Sequence, residues 1–162
     1  MLVTEVQDDR NQVIVRVPLP ELLDARWIHN ETVLHFLAIE GFAEGVRFLA
    51  SRGADVNAVN QFGDTALVDV ASLGLAYIVD ILLTHGASPD ATSRTHDSAL
   101  HAATAAGHVA VVQVLLKAGA DATYHTDLGE TVFDAVACAP AEAQQELVAA
   151  LAAHGVRNPS AE

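Results

Sequence analysis

The side chains with chemistry to offer in this 162-residue chain are eight histidines, one cysteine and 21 carboxylates. A metal site would need His, Cys or acid at spacings such as HExxH or CxxC, and no pair has them. His96-Asp97-Ser98 contains the letters of a catalytic triad. Three adjacent turn residues, however, cannot build a triad's hydrogen-bonded chain. No glycine-rich phosphate loop is present, and no cofactor is expected. Asn30-Glu31-Thr32 spells a glycosylation sequon, discounted because Thr32 reads as a helix cap. Cys138 lies among Ala and Val and reads as a small core hydrophobe. Catalysis is not expected from these residues.

Most of the histidines have a place in a pattern instead. His35 and His101 stand three residues after Thr32 and Ser98, one helical turn away, where a hydroxyl–imidazole hydrogen bond would hold them. His108 follows Gly107. His85 and His154 precede Gly86 and Gly155, at helix C-termini where a partly cationic group is favoured. His29, His96 and His125 are left over and fall on turns. A metal-dependent or enzymatic role would have to use them.

The elements that position these residues repeat. Thr32, Thr65, Ser98 and Thr131 stand 33 residues apart, each opening an apolar run. Gly41, Gly74 and Gly107 keep the same interval, as do the closes Gly53-Ala54-Asp55-Val56-Asn57, Gly86-Ala87-Ser88-Pro89-Asp90 and Gly119-Ala120-Asp121-Ala122-Thr123. Each unit reads as a helix capped by Thr or Ser, a Gly turn, a second helix and a Gly stop. Ala38, Ala71 and Ala103 would let neighbouring helices approach closely. One helix pair cannot bury its apolar face alone, so units must stack.

Opening, central Gly, close and period together resemble the ankyrin repeat over Trp27 to Gly155. The resemblance implies an all-α solenoid with repeats at 27–59, 60–92, 93–125 and 126–158. Residues 1–26 would form an N-terminal cap and 159–162 a tail. No unit has the family's proline after the threonine, and Val68 and Asp134 replace its histidine in units two and four. Unit four also has Pro140 in place of the central Gly and about three extra residues. It reads as an atypical C-terminal cap whose longer helix begins near Pro140 and ends at Gly155. Leu2–Val6 and Gln12–Val17 are β-prone runs around a turn, and a hairpin followed by a short helix over 21–26 is expected.

The net charge of −13, with only eight Lys and Arg, argues against nucleic acid and anionic membrane as partners. It favours a protein partner with a basic surface. No stretch approaches a membrane span and the N-terminus lacks a signal-peptide pattern, so a cytoplasmic, monomeric protein is expected. Low lysine and high alanine hint at a bacterial source.

In register, the residue before each cap is Glu31, Asp64, Asp97 or Glu130. The resemblance places this acidic column on the inner side of the turns, where partners of such arrays commonly dock. Two readings stay open. A carboxylate just ahead of a helix gains ~0.3–1 kcal/mol from its dipole. Repulsion between exposed charges ~10 Å apart is only about 0.4 kcal/mol before screening, so helix electrostatics alone could maintain the column. It would still present negative charge to whatever docks. The expected partner-binding set adds Asn60, Gln61, Phe62, Arg94, His96, Asp127 and Leu128 at the turn tips, and Leu73 at a helix end. Phe62 and Trp27 are the candidate aromatic anchors, although Trp27 also suits packing against the N-terminal segment. The function read from this is a non-catalytic adaptor, regulator or inhibitor. An immunity-type inhibitor of a cationic effector is one concrete version, and a purely structural or self-associating module is the alternative.

Overall fold

The computed structural model describes residues 4–7, 13–16, 21, 25–26, 28–93 and 97–157. Among them are eight α-helices in four pairs. These are α1 (Val33–Ile39) with α2 (Ala43–Ser51), α3 (Ala66–Ser72) with α4 (Ala76–Thr84), α5 (Ala99–Ala105) with α6 (Val109–Lys117), and α7 (Val132–Cys138) with α8 (Ala141–Ala153). The first helices α1, α3, α5 and α7 pack successively on one another. The second helices α2, α4, α6 and α8 form the layer behind them.

The caps explain where the first helices begin. Thr32, Thr65, Ser98 and Thr131 keep extended backbones, and each hydroxyl accepts from the backbone N–H three residues on. That satisfies one of the donors a helix start leaves unpaired. The second helices have no side-chain cap at Phe42, Leu75 or His108; Phe and Leu carry no acceptor, and the His108 ring bonds the Ser72 carbonyl instead. Gly74 shows what that turn demands: its φ is +77°, and a Cβ there would stand 2.7 Å from the His108 ring. In unit four Pro140 replaces the glycine and stands at the head of the 13-residue α8.

Burial follows the same register. Leu34, Leu67 and Leu100 of the first layer meet Val46, Val79 and Val112 and Leu49, Leu82 and Leu115 of the second, all buried in one continuous core. Polar staples tie neighbouring units together at their closing turns. Asn57 Nδ2 donates to the Gly86 carbonyl at 3.1 Å, while Ser88 N donates to Asn57 Oδ1 at 2.9 Å. Asp121 N donates to Asp90 Oδ1 at 2.7 Å in the next junction.

Near the N-terminus, β1 (Thr4–Gln7) pairs antiparallel with β2 (Val13–Arg16), Thr4 opposite Arg16. The turn expected between them and the middle of the helix expected over 21–26 lie outside the described residues. Ala25 and Arg26 are not helical. Arg26 instead bridges to Thr32, and its Nη1 donates to the Asn30 and Val59 carbonyls at 3.0 Å, so it ties two turns together. No described helix is long and apolar enough to cross a membrane.

Candidate functional site

The turns that join the units fix the acids by their backbones. Asn60 N donates to the Asp64 carbonyl at 3.0 Å, Ser93 N to Asp97 at 2.9 Å and Thr126 N to Glu130 at 3.0 Å. The return bonds run from Asp64 N to Asn60 Oδ1, Asp97 N to Ser93 Oγ and Glu130 N to Thr126 Oγ1. A polar residue four positions ahead thus closes each turn and sets the acid immediately before the helix cap. Glu31, Asp64 and Asp97 are half-buried and Glu130 is exposed.

Asn60 requires a correction. Sequence placed it at an exposed tip, but it is only 6% exposed and its Oδ1 accepts from both Phe62 N and Asp64 N. The turn engages its side-chain oxygen twice, so Asn60 is buried and shapes the loop. Around it, Gln61, Phe62, Leu73, Asp127 and Leu128 are exposed, Leu128 at 84%. The Phe62 ring leans on His29, with centroids 5.3 Å apart. Arg94, His96 and Trp27 lie outside the described residues.

Among the described residues, the most perturbed acid lies outside the column. Asp69 sits in the middle of α3, and its Oδ2 is buried without a hydrogen-bond partner. Burial, and then the negative charges of Asp64 and Glu31, push its carboxyl from 3.8 up to about 7. The signal was available: Asp69 is the one charged residue in the run Ala66-Leu67-Val68-Asp69-Val70-Ala71. Its register equivalents are Phe36, Ala102 and Ala135. The column and this added acid therefore act on one another: the negative charges of Asp64 and Glu31 favour the protonated form of Asp69.

A family model for ankyrin repeats in three copies matches residues 14–93, 34–126 and 75–160. The chain belongs to the ankyrin repeat family. No curated protein matches it significantly. Ankyrin repeats generally mediate protein–protein interactions, and the family is typically non-catalytic.

Within the ankyrin units His35, His85, His101, His108 and His154 bond the scaffold. Thr32 Oγ1 lies 2.8 Å from His35 Nδ1 and Ser98 Oγ lies 2.9 Å from His101 Nδ1, the pairing expected from their spacing. Burial lowers the pKa of both rings, which keeps them neutral. His35 Nε2 reaches across to the Asp64 carbonyl at 3.3 Å, and His108 Nε2 reaches back to the Ser72 carbonyl at 3.0 Å. His85 and His154 each bond the carbonyl four residues earlier, Ile81 and Ala150, as helix-end groups do. His125 and His154 share a groove of about 550 Å³ with Phe133 and Arg157. Among the described residues, no group of three or more His, Cys, Asp or Glu could hold a metal ion. Cys138 is a second correction. Read as a core residue, it is exposed, because the end of α7 turns it to the open side of the first-helix layer.

Proposed function

We propose that the chain is a non-catalytic binding module that holds a basic protein partner against the acidic side of its first-helix layer and turns. It would serve as an adaptor, regulator or inhibitor. The observation that carries this reading is the Glu31–Asp64–Asp69 grouping. Burial first, and then the negative charges of Asp64 and Glu31, keep a proton on Asp69 near neutral pH. A cationic side chain arriving at that face would relieve the repulsive part of the shift and favour the ionised form of Asp69. Exposed Phe62 and Leu73 supply apolar contact beside the charge.

The test neutralises the column isosterically, with Glu31→Gln, Asp64→Asn, Asp97→Asn and Glu130→Gln in one variant. Affinity capture followed by mass spectrometry should show that the parent retains basic proteins and that the variant loses them. Melting temperature should move by no more than a few degrees, since the acids close the turns through their backbone N–H and carbonyl groups, which the substitutions keep. Equal capture by parent and variant would remove the acidic face from the function.

A further inference from the structure

The central turns follow the ends of the first helices, one helix length away from the acidic column. In units one and two they run Glu40-Gly41-Phe42-Ala43-Glu44 and Leu73-Gly74-Leu75-Ala76-Tyr77. Tyr77 ties the two turns together, its Oη donating to the Gly41 carbonyl at 3.1 Å. Phe42, directly after that carbonyl, stays 65% exposed, with Leu73 at 50% and Tyr77 at 51%. In unit three the positions of Leu73 and Tyr77 hold Ala106 and Ala110, and in unit four Ala139 and Ala143. Among the central turns, large exposed apolar side chains therefore belong to the first two.

Phe42 opens α2 without a side-chain cap bond, and Leu73 closes α3 through its backbone N–H. Neither side chain is spent on the core. Single exposed apolar residues are ordinary, but three on two bonded turns make a patch, and Phe and Tyr are types that anchor interfaces. Glu40 and Glu44 are exposed on the same turns, which hold neither Lys nor Arg. One helical turn further on, Arg47 of α2 and Asp80 of α4 occupy the same register position with opposite charge. The rim of the patch is therefore acidic.

Charge and spacing select the occupant. We infer that this patch seats a basic amphipathic helix of the protein partner, its apolar side chains on Phe42, Leu73 and Tyr77 and its Lys or Arg beside Glu40 and Glu44. The inference rests on the chain being a binding module for a basic protein, and adds a second contact region to that reading. Stacked units stand ~8–10 Å apart. Residues i and i+7 on one helix face are separated by about 10.5 Å, so a single apolar stripe reaches both turns. An anionic membrane surface would meet the acidic rim with repulsion.

The probe is a helical peptide of Ala, Leu and Lys, about 14 residues long, with Leu at i, i+4 and i+7 and Lys beside them. Titrated into the whole protein and followed by NMR, it should give saturable shifts at the Leu73 methyls and the Phe42 and Tyr77 rings. The counterpart with Glu for Lys should bind at least ~10-fold more weakly, and the one with Ser for Leu should give no saturable shift. Phe42→Ser with Leu73→Ser should weaken the Lys peptide at least ~10-fold while melting within a few degrees of the parent. Glu40→Gln with Glu44→Gln should weaken it ~2-fold or more at low salt. Equal binding of the Lys and Glu peptides, or shifts that survive Phe42→Ser with Leu73→Ser, would overturn the inference. So would self-association of the parent that the same variant abolishes, since a second copy would then own the patch. If the neutralised column variant loses its captured proteins while the peptide leaves Phe42, Leu73 and Tyr77 unshifted, this inference fails alone and the proposed function stands. Binding of the peptide at the patch, with capture indifferent to column charge, supports the patch and removes the acidic column from the function.

Discussion

At the scale of single residues, the same side-chain type does opposite work depending on who its neighbours are. Asp134 is exposed and bonded to its own helix cap, which holds its carboxyl below the ordinary range. Asp69 is half-buried with other acids for company, and its carboxyl is pushed up to about 7. Between its ordinary value of 3.8 and 7, the folded chain holds a proton that the unfolded chain has released. Stability contributed by that proton is complete below 3.8 and is lost as pH rises through 7. Asp69→Asn should therefore melt like the parent at pH 4 and above it at pH 8. After discounting for the water that reaches the group, the gain is about 1 kcal/mol, or ~2–4 °C. Thermal melts at the two pH values check the sign; a gain confined to acid pH would contradict the assignment. The column of acids could be read from spacing alone. The burial of Asp69 beside Asp64 and Glu31 could not, since it depends on which residues two successive helices bring together.

At the scale of elements, the helix boundaries were legible because each is set by local chemistry: a hydroxyl cap at the start and a glycine at the stop. The central and closing glycines were legible as turns and stops, but their unequal importance was not. Gly74 and Gly86 have φ of +77° and +93°, so alanine is strained at both. At Gly86 a Cβ would meet nothing within 4 Å, whereas at Gly74 it meets the His108 ring, which bonds the Ser72 carbonyl. Gly74→Ala should thus destabilise by at least ~1 kcal/mol more than Gly86→Ala. Urea denaturation of the two variants measures the difference, and equal midpoints would mean that the ring moves aside freely. The turn tips were harder to read. Asn60 and Phe62 both stood out as polar and aromatic loop residues, yet one closes the turn and the other leans out from it. The roles diverge because a loop must satisfy its own backbone groups before it can offer side chains to anything else.

At the scale of the whole molecule, stability comes from neighbour contacts repeated along one axis. Leu82 of α4 is fully buried, and α4 packs against both α2 and α6. Leu82→Ala should lower stability by ~2–5 kcal/mol and shift one cooperative unfolding transition. Circular dichroism during urea denaturation would detect a split into two transitions, which would show that the units unfold separately. The charge of −13 also acts at this scale, because it sets the sign of the field that any approaching partner meets.

The sequence by itself determined the architecture, because a helix pair with one apolar face has no way to bury it except against copies of itself, and the 33-residue interval supplies those copies in register. It also determined the acidic column, which spacing makes visible. Only the tertiary structure decided what that column means locally. Through space, it placed Asp69 beside two of the acids, buried Asn60 and brought Cys138 to the surface. Those outcomes depend on contacts between units, where charge, burial and volume are properties of the pair and belong to neither residue alone.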